Sequence, residues 1–201
     1  MQNFLCIFGL LLILCVAYVY TQDPHAFSKV VSIAQAQSIQ TITQPPPTGD
    51  DVRGSPTVSP QLIDQVLCKY GSPACGTGQN IYDLGVQYGI DPAYPVGFFW
   101  EESNFGRAGE ARFSHSVGNL RSSPLEAYEA DGYAQFSDWQ TGERAWYELI
   151  SNLYIKQWGL TTVPAILERY APTGDGNSPS HYAEVVESAV ALWRAGKVTV
   201  P

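Results

Sequence analysis

Basic side chains are scarce in this chain. Eleven Lys and Arg stand against 19 Asp and Glu across 201 residues, and they nowhere gather into a patch. A surface of that sign excludes nucleic acid and anionic lipid as the main binding partner. Histidine is equally sparse, at positions 25, 115 and 181. The only cysteines are Cys6, Cys15, Cys68 and Cys75, so no pair of Cys/His pairs forms a zinc site. Gly76-Thr77-Gly78 follows no strand and is too short for a nucleotide fingerprint, and Asp175-Gly176-Asn177 lacks the remainder of a calcium loop. No cofactor and no metal are expected.

Charge is missing altogether from Phe4 to Tyr20, FLCIFGLLLILCVAYVY. At about 1.5 Å per residue such a helix spans roughly 26 Å, the short end of a bilayer crossing. Met1-Gln2-Asn3 supplies no Lys or Arg, and Ala17-Tyr18-Val19-Tyr20 offers no small-x-small cleavage site. Both omissions favour an uncleaved transmembrane anchor over a cleaved signal. Either way an exported protein is expected. The anchored form faces the cell wall, and the alternative is secretion after cleavage. Residues 1–20 are therefore assigned to the anchor or signal, and 21–58 to a Pro/Gln-rich linker, which Pro45-Pro46-Pro47 makes extended and semi-rigid.

Residues 59–201 have the length of one domain. They hold all five tryptophans and 9 Lys and Arg against 16 Asp and Glu. Cys68 and Cys75 close a short loop in the exported part, where a disulfide is plausible. Ser59-Pro60 reads as an N-cap with proline at the first helical position, followed by a helix with Leu62, Ile63, Val66 and Leu67 on one face. Further helices are expected over Gln79 to Tyr88, Pro92 to Ser103, Thr141 to Trp158, Thr162 to Tyr170, and from Ser178-Pro179 to Gly196. Periodicity fails between Glu110 and Gln140, where turn residues and the alternation of Tyr133 to Trp139 point to irregular structure with a small β-hairpin. The fold class is α+β, mostly α.

One stretch carries chemistry: Phe98-Phe99-Trp100-Glu101-Glu102-Ser103-Asn104-Phe105-Gly106. Glu102 lies one helical turn after Phe98 and Phe99, so those rings can cover it. Glu101 is rotated about 100° away. Both desolvation and the negative pole of the helix dipole disfavour an ionised carboxylate at this end of the helix. A carboxylic acid kept protonated near neutral pH is what glycoside cleavage needs as a proton donor.

Five blocks now appear in a fixed order. They are Phe98 to Gly106, Gly118-Asn119-Leu120-Arg121, Asp131 to Trp139, the Trp146-Tyr147 helix, and Tyr170-Ala171-Pro172 through Asp175-Gly176-Asn177 to His181-Tyr182. Residues from about Gln61 to Gly196 thereby resemble the glucosaminidase domains of glycoside hydrolase family 73, in the lysozyme-like superfamily. The resemblance implies a lysozyme-like domain that cleaves peptidoglycan glycan strands at β-1,4 bonds after N-acetylglucosamine. The family's Glu-Ser-x-x-Gly block places the catalytic general acid at Glu102. A second acid often sits in the family's hairpin, for which Glu126, Glu129 and Asp131 are on offer, with Asp131 or Glu129 the candidates kept. Asn119, Tyr133, Trp139 and Tyr182 are the expected substrate-binding residues. Trp139 fits a core position as well, and Asn119 and Arg121 also fit turn hydrogen bonding. A monomer is expected. Muramidase or lytic transglycosylase activity on the same fold is the alternative, and a silent wall-binding or virion module is the reading from another class.

Overall fold

Ser59 opens the first helix by accepting a hydrogen bond at its side chain from the Leu62 N–H (3.2 Å), with Pro60 next. The computed structural model describes residues 49–201. By internal packing the chain divides into Met1–Pro46 and Pro47–Pro201. The expected anchor, residues 1–20, and the linker as far as residue 48 lie outside the described residues. Among the described residues no helix is long and apolar enough to cross a membrane.

The described unit is mostly helical. Helix α1 spans Pro60–Lys69 and packs on α2, Gly78–Tyr88. Helix α3, Ala93–Ser103, occupies the centre, and the short α4, Ala111–Ser114, follows it. Strands β1, Tyr128–Ala130, and β2, Tyr133–Gln135, form one antiparallel hairpin with Glu129 opposite Ala134. Helix α5, Trp139–Leu149, continues into a π-helical segment, Ile150–Gln157. Helices α6, Val163–Tyr170, and α7, Pro179–Arg194, complete the unit.

Helix α3 is buried nearly all round, which is why it lacks the apolar stripe of a surface helix. Phe98 and Phe99 are fully buried and contribute roughly 2–3 kcal/mol each by leaving water. Helix α7 lies against α3, with Val186 so near Gly97 that an added Cβ would meet its Cγ1 at 3.0 Å. Packing at this distance fixes the height of Glu102 relative to Tyr182 on α7.

The linker was expected to run to residue 58, but its last ten residues belong to the folded unit. Val52 is fully buried, its N–H donates to the Thr161 carbonyl (2.8 Å), and its carbonyl accepts from the Asp91 N–H (2.9 Å). Single bridges pair Asp51 with Thr162 and Arg53 with Ile90. Buried Asp91 accepts from the Thr57 N–H (3.0 Å) and from Arg194 Nη2 (2.8 Å), tying this strap to the last helix. Isolated bridges need no β-pattern in sequence, so composition alone reads the strap as linker.

Cys68 and Cys75 form a disulfide with Cα atoms 4.8 Å apart. Its loop supports the turn after α3: Ser72 Oγ donates to the Phe105 carbonyl (2.8 Å). Replacing both cysteines by serine is expected to cost about 2.5 kcal/mol, the entropy regained by the short loop on unfolding. Urea unfolding with and without reductant measures it, and equal midpoints for wild type and variant contradict it.

Candidate active site

The Ser-Asn-Phe-Gly sequence turns the chain sharply after Glu102. Asn104, Phe105 and Gly106 all take left-handed backbone conformations, at φ 51°, 57° and 80°. For a bulky residue such as Phe105 this is strained, of order 1–3 kcal/mol. Burial holds it there, with its ring against Trp100 (5.2 Å between centroids) and Tyr70 (5.9 Å). Ser103 Oγ accepts from the Gly106 N–H (2.8 Å) and donates to the Val117 carbonyl (2.8 Å). Gly106 is required twice over. Its φ favours glycine, and a Cβ would stand 2.7 Å from the Trp139 ring. The Glu-Ser-x-x-Gly spacing thus ends the helix and docks the segment carrying Gly118 and Asn119 beside Glu102.

Glu102 lines a cleft of about 480 Å³ together with Gly118, Asn119, Leu120, Arg121, Ser122, Tyr133, Leu149, Tyr154, Tyr170, Ala171 and Asn177. Among the described residues it is the one acid in that lining, and Arg121 is the one cation. Tyr182, buried behind it, donates its hydroxyl proton to Glu102 Oε1 (2.8 Å). Asn119 Nδ2 donates to the Glu102 backbone carbonyl (2.7 Å) and stands 3.5 Å from Oε2. The carbonyl can only accept, so this contact fixes which way the amide faces. Burial pushes the Glu102 pKa from 4.5 up to about 6, against the lowering effect of the Tyr182 and Asn119 hydrogen bonds, and the charge of Glu101 adds to the rise. Glu101 itself is exposed.

An aromatic wall keeps the acid dry. Phe98 packs on Tyr182 (5.5 Å), Tyr170 (5.5 Å) and Trp146 (5.2 Å). Tyr170 donates its hydroxyl to the Gly118 carbonyl (2.7 Å) and accepts from Trp146 Nε1 (3.2 Å). A side chain at Gly118 would run into the Trp146 ring, so the strand of backbone under Asn119 must be glycine. Tyr154 enters the cleft from the π-helical segment, its ring 6.0 Å from Tyr170. Wider π turns are rare and recur at functional sites.

The structure brings Glu102, Asn119 and Tyr133 into one cleft and sets Tyr182 against the carboxyl. It leaves Trp139 out of the lining. As the first residue of α5 it packs on Gly106 and, edge to face, on His115 (5.0 Å). Asp131 and Glu129 are also outside the lining, for a physical reason. Asp131-Gly132 is the two-residue hairpin turn, with φ 53° and 77°, and so sits at the exposed tip. Glu129 accepts from the Gly132 N–H (3.0 Å) and closes that turn. In the sequence Tyr154, Tyr170 and Leu149 stand only at helix or motif positions. Their helical spacing places them on a buried face and carries no sign that one edge opens to a cleft.

No family model matches the chain, and no curated protein is similar to it in sequence. Among solved structures it is similar to a chain in a type VI secretion system effector–immunity complex from Pseudomonas protegens. Identity is 18%, TM-score 0.47, with 67% of this chain and 94% of that chain covered. A likeness at this level carries neither family nor activity.

Removing the Tyr182 hydroxyl takes away a hydrogen bond that favours the charged form of Glu102. Tyr182→Phe is therefore expected to raise the Glu102 pKa above about 6 and move any activity limb that follows its ionisation to higher pH. A pH–rate profile checks the shift, and a limb that stays in place or moves down contradicts it.

Proposed function

We propose that this domain is a peptidoglycan hydrolase of lysozyme-like, family 73 type, an endo-β-N-acetylglucosaminidase with Glu102 as general acid. The observation that carries the reading is the Glu102 carboxyl, raised to about 6 by burial in the wall of an open polar cleft and steadied by Tyr182. A carboxyl so placed is substantially protonated at mildly acidic pH and faces a space of saccharide size.

Glu102, the one acid lining the cleft among the described residues, suits a substrate-assisted route. Glu102 gives its proton to the glycosidic oxygen as the C–O bond breaks. The carbonyl oxygen of the substrate's own 2-acetamido group forms the bond to the anomeric carbon, giving a cyclic oxazolinium. Glu102, now a carboxylate, takes a proton from water, whose oxygen reopens that ring. The acid is restored and the hydrolysed sugar is released. Asn119 positions the Glu102 main chain, Tyr133 and Tyr154 offer hydroxyls to the sugars, and Tyr170, its own hydroxyl held by Gly118 and Trp146, braces the cleft wall.

The same proposal places the domain outside the cytoplasm, held by its N-terminal segment and working on the wall as a monomer. The Cys68–Cys75 disulfide fits an oxidising compartment. Borohydride reduction of the fragments released from purified peptidoglycan, followed by mass spectrometry, tests the bond chosen. Reduced N-acetylglucosamine at the new ends is expected. Reduced N-acetylmuramic acid or an anhydro-muramic end overturns the bond assignment, and no fragment at all overturns the hydrolase reading.

A further inference from the structure

Among the described residues Arg121 is the only positive charge in the cleft lining, on a domain with 9 basic against 16 acidic side chains in residues 59–201. Its guanidinium carbon lies 4.5 Å from the centroid of the Tyr133 ring. The backbone beneath it is pinned by the Ala134 N–H, which donates to the Leu120 carbonyl (2.9 Å). Among the described residues Arg121 makes no ion pair, and it is exposed to the cleft. A guanidinium held over a ring keeps its N–H groups free at its edge, in the fork that matches a carboxylate. The rest of the polar lining, Asn119, Ser122, Asn177 and the tyrosine hydroxyls, suits neutral sugar groups.

We propose that Arg121 binds a carboxylate carried by a substituent of the glycan, so that the cleft selects an acidic, carboxyl-substituted strand over a neutral N-acetylglucosamine polymer. This rests on the proposed glycan-cleaving role of the cleft and adds the charge of its substrate. In a wall glycan the carboxylate has two sources, the lactyl ether of muramic acid and the peptide attached to it. On an acidic domain this one cation also offsets the general repulsion of an anionic strand at the site of cleavage.

Binding tests the inference without turnover. In the full chain carrying Glu102→Gln, isothermal titration is run with three ligands. They are N-acetylglucosaminyl-N-acetylmuramic acid (free lactyl carboxylate), the same disaccharide bearing a dipeptide, and neutral chitotetraose. Adding Arg121→Gln is expected to weaken one or both acidic ligands roughly ten- to hundredfold, as loss of a charged hydrogen bond does, and to leave chitotetraose within about twofold. Whichever acidic ligand loses affinity identifies the source of the carboxylate. Arg121→Lys restores part of the loss, because it returns the charge without the fork. Arg169→Gln serves as the charge control. That guanidinium lies over Trp158 (4.7 Å) and is not in the cleft lining, so its removal leaves all three affinities in place.

Equal losses on neutral and acidic ligands overturn the inference and make Arg121 a support for the hairpin. Unchanged affinities overturn it too, as does failure of the acidic ligands to bind before Arg121 is altered. Failure of the hydrolase reading shows elsewhere, as intact peptidoglycan after incubation with wild type.

Discussion

Glu102→Gln is expected to lower the rate of the proposed peptidoglycan cleavage by roughly three orders of magnitude, the contribution of a positioned general acid. Glutamine has nearly the same shape and still accepts the Tyr182 hydroxyl, so the aromatic wall and the helix end keep their contacts. What it lacks is the proton for the leaving oxygen. Initial rates of fragment release measure the loss, and thermal unfolding of the same samples shows that the fold survives. A variant that releases fragments at the wild-type rate removes Glu102 from the mechanism.

The second large effect concerns Glu143, a carboxyl that the cleft does not use. It is fully buried on α5, beside Trp146 and against α2. Thr77 Oγ1 stands 2.5 Å from its Oε1, and Asn80 Nδ2 donates to its Oε2 (2.7 Å). Thr77 Oγ1 is also 2.9 Å from the Ala74 carbonyl. One hydroxyl proton cannot serve both acceptors. A protonated Glu143 resolves this by donating to Thr77, which then donates to Ala74. Burial pushes its pKa from 4.5 to about 8, opposed by the Thr77 and Asn80 hydrogen bonds, while the charges of Asp64 on α1 and Asp138 at the α5 cap raise it further.

An unfolded chain ionises Glu143 above about 4.5, whereas the folded one holds the proton to about 8. Its stabilising effect is complete below 4.5 and is lost progressively as pH rises through 8, on the order of 4 kcal/mol in all. In Glu143→Gln the side-chain amide donates to Thr77 Oγ1, which still donates to Ala74, and its oxygen accepts from Asn80 Nδ2, with no charge to bury. The variant is expected to match wild type near pH 5 and to exceed it in melting temperature at pH 8. Differential scanning calorimetry at the two pH values measures this, and parallel curves for the two proteins contradict it.

Helix boundaries were legible wherever a local device sets them. Ser59-Pro60, Gly89 and the Thr162 cap each end or begin a helix where the side chain or the left-handed backbone requires it. Helix α5 starts two residues before the expected Thr141, because Asp138 caps it by accepting from the Thr141 N–H (2.8 Å). The π-helical continuation left no mark, since Trp146, Ile150 and Tyr154 fit an α-helical stripe equally well. Glu102 was legible because its spacing from Phe98, Ser103 and Gly106 is a local geometric requirement. The cleft's other walls were not, because Tyr154 and Tyr170 reach it by tertiary packing. Asp131-Gly132 carried the signature of a tight hairpin turn, and reading that signature first sends the acid to the tip and not to the cleft. Glu143 had one sequence signal, its place three residues before Trp146 on the buried face of α5.

In the proposed reaction Glu102 acts in its protonated form. The most direct measurement is kcat/KM for peptidoglycan solubilisation by wild type from pH 4.5 to 8.5, which reports ionisations of the free enzyme. The expected profile falls as pH rises through about 6, the Glu102 pKa, and has lost about a hundredfold by pH 8. A profile that is flat or rises across that window contradicts a carboxylic acid at Glu102 as the proton donor.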